Sequence, residues 1–141
     1  MKILLVEDDI MLNEMITEYI TSTGHAIKSV KTGNESLEIL DKEKFDLLIL
    51  DINLPDIDGF TILEKMHEQK RMIPTIYISA LIDIEDISRA FDLGCFDYLK
   101  KPFHLKELTL RINKILKTRI VPQRHKRLSK HYSFDSENMT L

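Results

Sequence analysis

The chain has 141 residues, 43% of them hydrophobic and 30% charged, which is typical of a folded globular protein. Its net charge of -3 gives no overall basis for nucleic-acid binding. Cys95 is the single cysteine, which excludes an intrachain disulfide and a thiolate metal cluster. No run approaches the roughly 18 apolar residues that span a membrane, so we expect a cytoplasmic protein with no membrane partner.

Five short apolar runs alternate with five helical patterns along residues 1–118. The predicted strands are Lys2–Val6, His25–Val30, Asp46–Asp51, Pro74–Ser79 and Phe96–Lys100. The predicted helices are Ile10–Ser22, Gly33–Leu40, Phe60–Lys70, Asp83–Leu93 and His104–Thr118. The spacing in the first helix places Ile10, Leu12, Met15, Ile16, Tyr19 and Ile20 mostly on one face.

This alternation, with short connecting loops, indicates right-handed βαβ units and a single parallel sheet. The expected fold is α/β and flavodoxin-like, a doubly wound five-stranded parallel sheet of order 2-1-3-4-5. The switch point of that order lies between strands 1 and 3, where ligands of such sheets bind.

The remainder of the chain differs in character from this expected domain. Residues 119–130 contain five lysines or arginines and no acid, and Pro122 interrupts any helix, so we interpret them as a basic, solvated linker. Residues 131–141 are too short to fold alone, and we expect their apolar residues to begin a strand that belongs to a missing part of the protein.

Chemically useful side chains stand where the predicted strands end. Asp51 follows four apolar residues, Glu7 and Asp8 follow strand 1, Ser79 ends strand 4, and Lys101 follows strand 5. Clustered carboxylates repel one another, and Mg²⁺ relieves this by binding one or two of them together with phosphate oxygens and water. An aspartate can serve as a nucleophile that forms an aspartyl-phosphate. Lysine and hydroxyl groups donate to phosphoryl oxygens, so the set predicts phosphoryl transfer at this edge.

The acid that follows this pair has a simpler interpretation. Asp9 immediately precedes the predicted helix that begins at Ile10. An acid is favoured there by the helix dipole, so we expect Asp9 to cap the helix rather than bind the metal.

These motifs, in this order and spacing, resemble the receiver domain of two-component response regulators over Lys2 to about Thr118. The motifs are Val6-Glu7-Asp8, Asp51 before Asn53-Leu54-Pro55-Asp56-Ile57-Asp58-Gly59, Ile78-Ser79-Ala80 and Asp97-Tyr98-Leu99-Lys100-Lys101-Pro102-Phe103. The resemblance implies that Asp51 is the phosphoacceptor and that Glu7, Asp8, Asp51 and the backbone carbonyl of Asn53 hold Mg²⁺. It further implies Lys101 as the phosphate-contacting lysine, Ser79 as the switch hydroxyl, Tyr98 as the switch aromatic and a cis Lys101–Pro102 bond.

The resemblance also implies partners and an output. A sensor histidine kinase would donate the phosphoryl group, and the surface of helix 4, strand 5 and helix 5 would then change. Such a protein is not an enzyme but a phosphoacceptor that assists its own phosphorylation and dephosphorylation. The tail resembles the linker and first strand of an OmpR-type winged-helix regulator, which implies that residues 131–141 are the first strand of a truncated C-terminal effector domain. Transcriptional control, with DNA bound only through the missing C-terminal domain, is therefore the expected output.

Receivers of this class commonly form homodimers through helix 4, strand 5 and helix 5 when phosphorylated. Asp97 and Arg111 match one family ion pair, and Glu107 matches the acid of another. Ile87 stands where the family has a basic residue, and Phe96 where it has an acid, so we expect a more apolar and less salt-sensitive dimer. Alternatively, Glu107 and Arg111 pair along one helix as i,i+4 neighbours, and the domain stays monomeric.

Two other functional classes remain as alternatives. One is a Mg²⁺-dependent phosphatase with an aspartate nucleophile, of the haloacid-dehalogenase type, but Asn53 stands where that class has its second aspartate. The other is a receiver-like binding module that is not phosphorylated. A flavodoxin is a poorer interpretation, because acids after strand 1 would repel the flavin phosphate.

Overall fold

The computed structural model describes residues 1–80, 84–94 and 97–120, in which five strands alternate with five helices. The strands are β1 (Lys2–Val6), β2 (Ala26–Val30), β3 (Leu47–Asp51), β4 (Thr75–Ser79) and β5 (Asp97–Lys100). The helices are α1 (Ile10–Ser22), α2 (Gly33–Lys42), α3 (Gly59–Glu68), α4 (Ile84–Asp92) and α5 (Leu105–Ile120). All four strand pairings are parallel and the order is β2-β1-β3-β4-β5, which confirms the predicted fold.

The centre of the sheet is covered on both faces. Every residue of β3 and of β4 is buried, whereas the edge strand β2 is half-buried to exposed. This explains why the central strands are continuous apolar runs rather than alternating ones. Burial of these side chains supplies the main stabilisation, at roughly 25 cal/mol per Å² of apolar surface.

Side-chain caps fix where three helices begin. Asp9, Thr32 and Asp58 precede α1, α2 and α3, and each accepts a hydrogen bond from the backbone N–H three residues further on. The prediction that Asp9 caps the first helix is therefore confirmed. Helix α3 ends at Glu68, earlier than predicted, and Lys70 just beyond it has a positive φ of 58° that no helix accommodates.

Two of the residues predicted to lie mostly on one face of α1, Ile10 and Met15, are 58% and 49% exposed. The buried residues of this helix are Asn13, Ile16 and Ile20. The Asn13 amide donates to the backbone carbonyl oxygens of Glu7 and Val30, at 2.9 and 3.4 Å. A polar residue therefore occupies an inward position, and this rotates the buried stripe away from the apolar residues at the start of the helix.

The described residues fall into two compact units. The first is Met1–Thr109, and the second begins at Leu110, so α5 contributes residues to both. The predicted boundary of the receiver domain at residue 118 stays a prediction. Most of the predicted linker of residues 119–130 and the whole predicted strand of residues 131–141 lie outside the described residues. Among the described helices, none combines the length and apolar character needed to cross a membrane.

Candidate functional site

Three carboxylates meet at the carboxyl edge of the sheet. Val6 at the end of β1 pairs with Leu50 in β3, so the residues that follow them, Glu7 and Asp51, emerge side by side. Oxygen atoms of Glu7, Asp8 and Asp51 all lie within 4.8 Å of one another. The structure thus brings together the three acids that the sequence predicted as a cation site.

Glu7 is the most constrained of the three acids. Its side chain is fully buried, and Oε2 accepts a hydrogen bond of 3.0 Å from the Asp9 N–H. Oε1 completes no hydrogen bond among the described residues. Burial raises the pKa of Glu7 to about 7, and the nearby charge of Asp51 adds to the effect, although Lys101 and the Asp9 N–H oppose it.

Lys101 supplies the balancing cation. Its Nζ lies 2.8 Å from Glu7 Oε1, an ion pair rather than a directed hydrogen bond, and 3.1 Å from Asp51 Oδ2, to which it donates. Burial alone would lower the pKa of Lys101, but the two carboxylates outweigh it and raise the pKa. The Lys101–Pro102 bond is cis, as the resemblance implied, and the Lys101 N–H donates to the carbonyl oxygen of Ser79 at 2.8 Å.

The backbone after Asp51 is held tightly to the sheet. Asp51 Oδ1 accepts a hydrogen bond of 3.1 Å from the Asn53 N–H, and Gly59 N–H donates to the carbonyl oxygen of Ile52 at 2.8 Å. A Cβ atom at Gly59 would lie 2.6 Å from the Asp51 carbonyl oxygen, so only glycine fits there without a backbone shift. The Asp51 side chain is therefore presented by a turn with little freedom.

The sequence interpretation missed the role of Asp56 in this turn. Its carboxylate accepts backbone N–H groups of Gly33, Asn34 and Ile57, each at 2.8 Å, and so ties the turn to the start of α2. Burial opposes ionisation of Asp56, but these donors outweigh it and lower the pKa. An acid in a proline-containing turn signals a cap, yet nothing local in the sequence indicates that the helix it caps is α2.

The two predicted switch residues lie on neighbouring strands. Ser79 ends β4 and is fully buried, and it pairs in register with Lys100 of β5. Tyr98 is half-buried in β5 and pairs in register with Tyr77, whose ring centroid lies 6.4 Å from its own. Ser79 therefore lies at the carboxyl edge of the sheet and Tyr98 lies two residues before the end of β5, while their roles stay predictions.

The predicted dimer residues are spread over several elements. Ile87 lies on α4, Asp97 begins β5 and Glu107 lies in the first turn of α5, and all three are partly exposed. Arg111 belongs to the second compact unit. Phe96 lies outside the described residues.

Apolar side chains are accessible on α4 and in a cavity beside Lys101. Phe91 of α4, which the sequence interpretation did not single out, is 50% exposed. A cavity of about 520 Å³ adjoins Lys101 and is lined mainly by apolar side chains, among them Met11, Met15 and Phe103. The cavity therefore places apolar side chains beside the lysine of the acidic edge.

This arrangement fits a hard divalent cation. Three carboxylates crowd one edge, and among the described residues Lys101 is the one cation that pairs with them. Mg²⁺ prefers such oxygen ligands and usually keeps several waters or phosphate oxygens as well. Lys101 adds a donor for a phosphate oxygen, and Asp51 adds a carboxylate that can act as a nucleophile.

A doubly wound sheet of this order, with acids and a lysine at its carboxyl edge, defines the CheY-like class of signalling domains. Within that class, residues 3–113 match the family described as the response regulator receiver domain, and the chain belongs to that family. Two-component regulation and transcription regulation are the processes to which this family and the curated relatives point.

Curated relatives carry names of transcriptional regulators. The chain is 32% identical to the transcriptional regulatory protein RprY of Bacteroides fragilis, over 100% of this chain and 61% of the relative. It is 38% identical to the transcriptional regulatory protein CrdR of Helicobacter pylori, over 80% of this chain and 54% of the relative. The chain thus spans about three fifths or less of the length of these relatives.

Solved receiver domains share the fold over most of their length. The receiver domain of a Francisella response regulator superposes with a TM-score of 0.78 at 29% identity, covering 82% of this chain and 96% of that one. The non-phosphorylated HemR receiver domain from Leptospira biflexa gives 0.77 at 33% identity, covering 81% and 92%.

Proposed function

We propose that Asp51 accepts a phosphoryl group from a sensor histidine kinase, and that this modification controls an attached output domain that regulates transcription. The observation that carries the proposal is the single cluster formed by Glu7, Asp8, Asp51 and Lys101 at one sheet edge. Each residue type answers one requirement of phosphoryl transfer, which needs a positioned nucleophile and neutralised charge.

In the proposed step an Asp51 carboxylate oxygen attacks the phosphorus atom of a phosphohistidine. A P–O bond to Asp51 forms as the P–N bond breaks in line with it, and the electron pair of that bond returns to the imidazole nitrogen. Lys101 Nζ, now 3.1 Å from Asp51 Oδ2, would exchange this contact for an oxygen of the new phosphoryl group. The restrained turn after Asp51 supports this step, because it limits the orientations that the carboxylate can take.

The acidic residues would hold the cofactor of this step. Glu7, Asp8, Asp51 and the backbone carbonyl of Asn53 would hold Mg²⁺, which when bound neutralises charge on the phosphoryl oxygens. Burial raises the pKa of Glu7 to about 7, so protonated and deprotonated Glu7 are both populated near neutral pH. Deprotonated Glu7 is the form that binds a cation, so cation binding and release of a proton from Glu7 would be linked.

The consequence of phosphorylation would be a shift between two states of the domain. Ser79 would move toward the phosphoryl group and Tyr98 would turn inward, which would remodel the surface of α4, β5 and α5. We propose a homodimer through that surface, involving Asp97, Arg111, Glu107, Ile87 and Phe96. Ile87 and the half-exposed Phe91 lie four residues apart on α4, and this supports an apolar contact.

The proposed output domain and cellular location concern the protein beyond the described residues. The transcriptional names of RprY and CrdR, together with the basic tail, support an OmpR-type winged-helix effector. DNA would then bind to that effector and not to the receiver. A cytoplasmic location fits a chain that would receive its phosphoryl group from a sensor kinase and act on DNA. The protein would then be a signalling switch and not an enzyme acting on free substrates.

Incubation with a small phosphodonor and Mg²⁺ tests the proposal. Intact-mass measurement should show one added phosphoryl group that hydroxylamine removes, and Asp51→Asn should abolish the gain. Asp58→Asn is the matched control, because asparagine caps α3 as well as aspartate does and Asp58 lies outside the acidic cluster.

Two results would contradict the proposal. No gain in mass for the wild type would favour the binding module that is not phosphorylated. Continuous release of inorganic phosphate from phosphomonoesters, without an accumulating acyl phosphate, would favour the phosphatase.

A further inference from the structure

We propose that Tyr77 is a positioning residue that couples the turn after Asp51 to the aromatic ring of Tyr98. The inference rests on the proposed phosphorylation of Asp51 and adds a residue that lies outside the motifs on which the family resemblance depends. Its basis is one buried tyrosine that contacts both the backbone behind the acidic edge and the predicted switch ring.

The hydroxyl of Tyr77 lies where a hydroxyl is costly unless it is hydrogen-bonded. Tyr77 is the middle residue of β4, a strand buried at every position, and it is itself 0% exposed. A leucine or phenylalanine would fill such a site without a polar group to satisfy. The tyrosine hydroxyl donates to the carbonyl oxygen of Gly59 at 3.3 Å, a hydrogen bond that lies in the buried interior.

Gly59 joins this hydroxyl to the phosphoacceptor backbone. Its N–H donates to the carbonyl oxygen of Ile52, and its Cα packs so closely on Asp51 that a Cβ would lie 2.6 Å from the Asp51 carbonyl oxygen. A displacement of the turn on phosphorylation therefore displaces Gly59. The carbonyl that holds the Tyr77 hydroxyl moves with it.

The ring of Tyr77 lies beside the ring of Tyr98 on the neighbouring strand β5. Tyr77 pairs in register with Tyr98, so their side chains are lateral neighbours on one face of the sheet, with ring centroids 6.4 Å apart. Phe60 packs edge-on against the Tyr77 ring at 5.4 Å, and Arg89 of α4 lies over Phe60 at 4.5 Å. Aromatic contacts of this kind depend on orientation, so tilting the Tyr77 ring changes the packing available to Tyr98.

These contacts connect the acidic edge to the surface of α4 and β5 in two steps. The first step is the hydrogen bond from Tyr77 to Gly59, and the second is the contact between the Tyr77 and Tyr98 rings. Removing the hydroxyl breaks the first step and keeps the second, because the ring stays in place. Tyr77→Phe is therefore the variant that separates coupling from packing.

The readout is the environment of Tyr98, followed by fluorine NMR on protein that contains fluorotyrosine. The chain has four tyrosines, and Tyr98→Phe assigns the Tyr98 signal by its loss. Phosphorylation of the wild type with a small phosphodonor and Mg²⁺ should shift that signal. In Tyr77→Phe the acyl phosphate should still form, but the ratio of switched to resting signal should change about 2- to 10-fold, the effect of one neutral hydrogen bond.

Tyr19→Phe is the matched control, because it removes a hydroxyl from α1, a helix that packs against β1 and β2, and it should respond as the wild type does. An equal ratio of signals in Tyr77→Phe and the wild type would overturn the inference while the proposed function stands. Failure of Tyr77→Phe to form the acyl phosphate would also overturn it, because Tyr77 would then act on the acceptor itself. Absence of the acyl phosphate in the wild type would remove the proposed function and the inference together.

Discussion

Replacing Asp8 by asparagine should have opposite effects on the metal-free and the Mg²⁺-bound protein. Asp8 is exposed and shares the sheet edge with two buried acids, Glu7 and Asp51, whose oxygens lie within 4.8 Å of its own. In the absence of a cation its charge repels theirs. With Mg²⁺ present, the same charge attracts the cation.

The size of the first effect follows from Coulomb's law. Two like charges 4.8 Å apart repel by roughly 3.5 kcal/mol at an effective dielectric constant of about 20. Exposure of Asp8 to water and the nearby Lys101 screen most of this, so a net effect of about 0.5–1 kcal/mol is expected. Metal-free Asp8→Asn should then unfold about 2–5 °C above the wild type.

The second effect has the opposite sign. Loss of a carboxylate at the cation site should weaken Mg²⁺ binding at least about tenfold, since even outer-shell partners of a metal contribute factors of about 10–100. A tenfold weaker site loses about 1.4 kcal/mol of the stabilisation that saturating Mg²⁺ provides. The order of the two melting temperatures should therefore reverse, or the gap should close, when Mg²⁺ is added.

Thermal unfolding followed by circular dichroism, with and without Mg²⁺, measures both effects. Asp9→Asn is the matched control, because it removes the neighbouring charge and keeps the cap of α1, for which asparagine is as good as aspartate. Asp9→Asn should retain most of the Mg²⁺ response. Equal losses in the two variants, or a metal-free Asp8→Asn less stable than the wild type, would refute the assignment of Asp8 to the cation site.

Three further predictions follow from other contacts. Lys101→Ala should keep the fold and lose the response to phosphorylation. Circular dichroism measures the first effect, and size-exclusion chromatography before and after phosphorylation measures the second. Asp56→Ala should melt below the wild type at neutral pH, because folding lowers the Asp56 pKa and ionised Asp56 therefore stabilises the folded state. This stabilisation is present above the ordinary pKa of 3.8 and is lost as the pH falls below it. The melting temperatures of the variant and the wild type should therefore converge in acid. Phosphorylated protein should sediment as a dimer at low and at high salt, and the dimer should be weakened by Arg111→Ala and Phe96→Asp. A monomer under both conditions would remove that interface.

The strands and the acidic edge could be predicted because their signals are local. The run from Leu47 to Leu50 is too short for a helix and too apolar for an exposed strand, and Asp51 ends it abruptly. Parallel pairing then brings strand ends together without further information, so Glu7, Asp8 and Lys101 could be placed beside Asp51. Their contacts in the structure follow from that topology.

Features that depend on distant partners could not be predicted in the same way. The inward position of Asn13 depends on carbonyl groups of Glu7 and Val30, which helical periodicity does not register. Asp56 caps a helix more than twenty positions earlier in the chain. In the sequence Tyr77 is one more large residue of a buried strand. Its hydrogen bond to the carbonyl oxygen of Gly59 is visible only in the structure.

The most direct test of the account is to locate the phosphoryl group after reaction with a small phosphodonor and Mg²⁺. Borohydride reduction converts an aspartyl-phosphate to homoserine, and peptide mass spectrometry then identifies the residue that carried it. Homoserine is expected at position 51 and at no other aspartate, and none is expected in protein treated without Mg²⁺. Homoserine at another aspartate, or a phosphoryl group found on a serine or histidine instead, would contradict it.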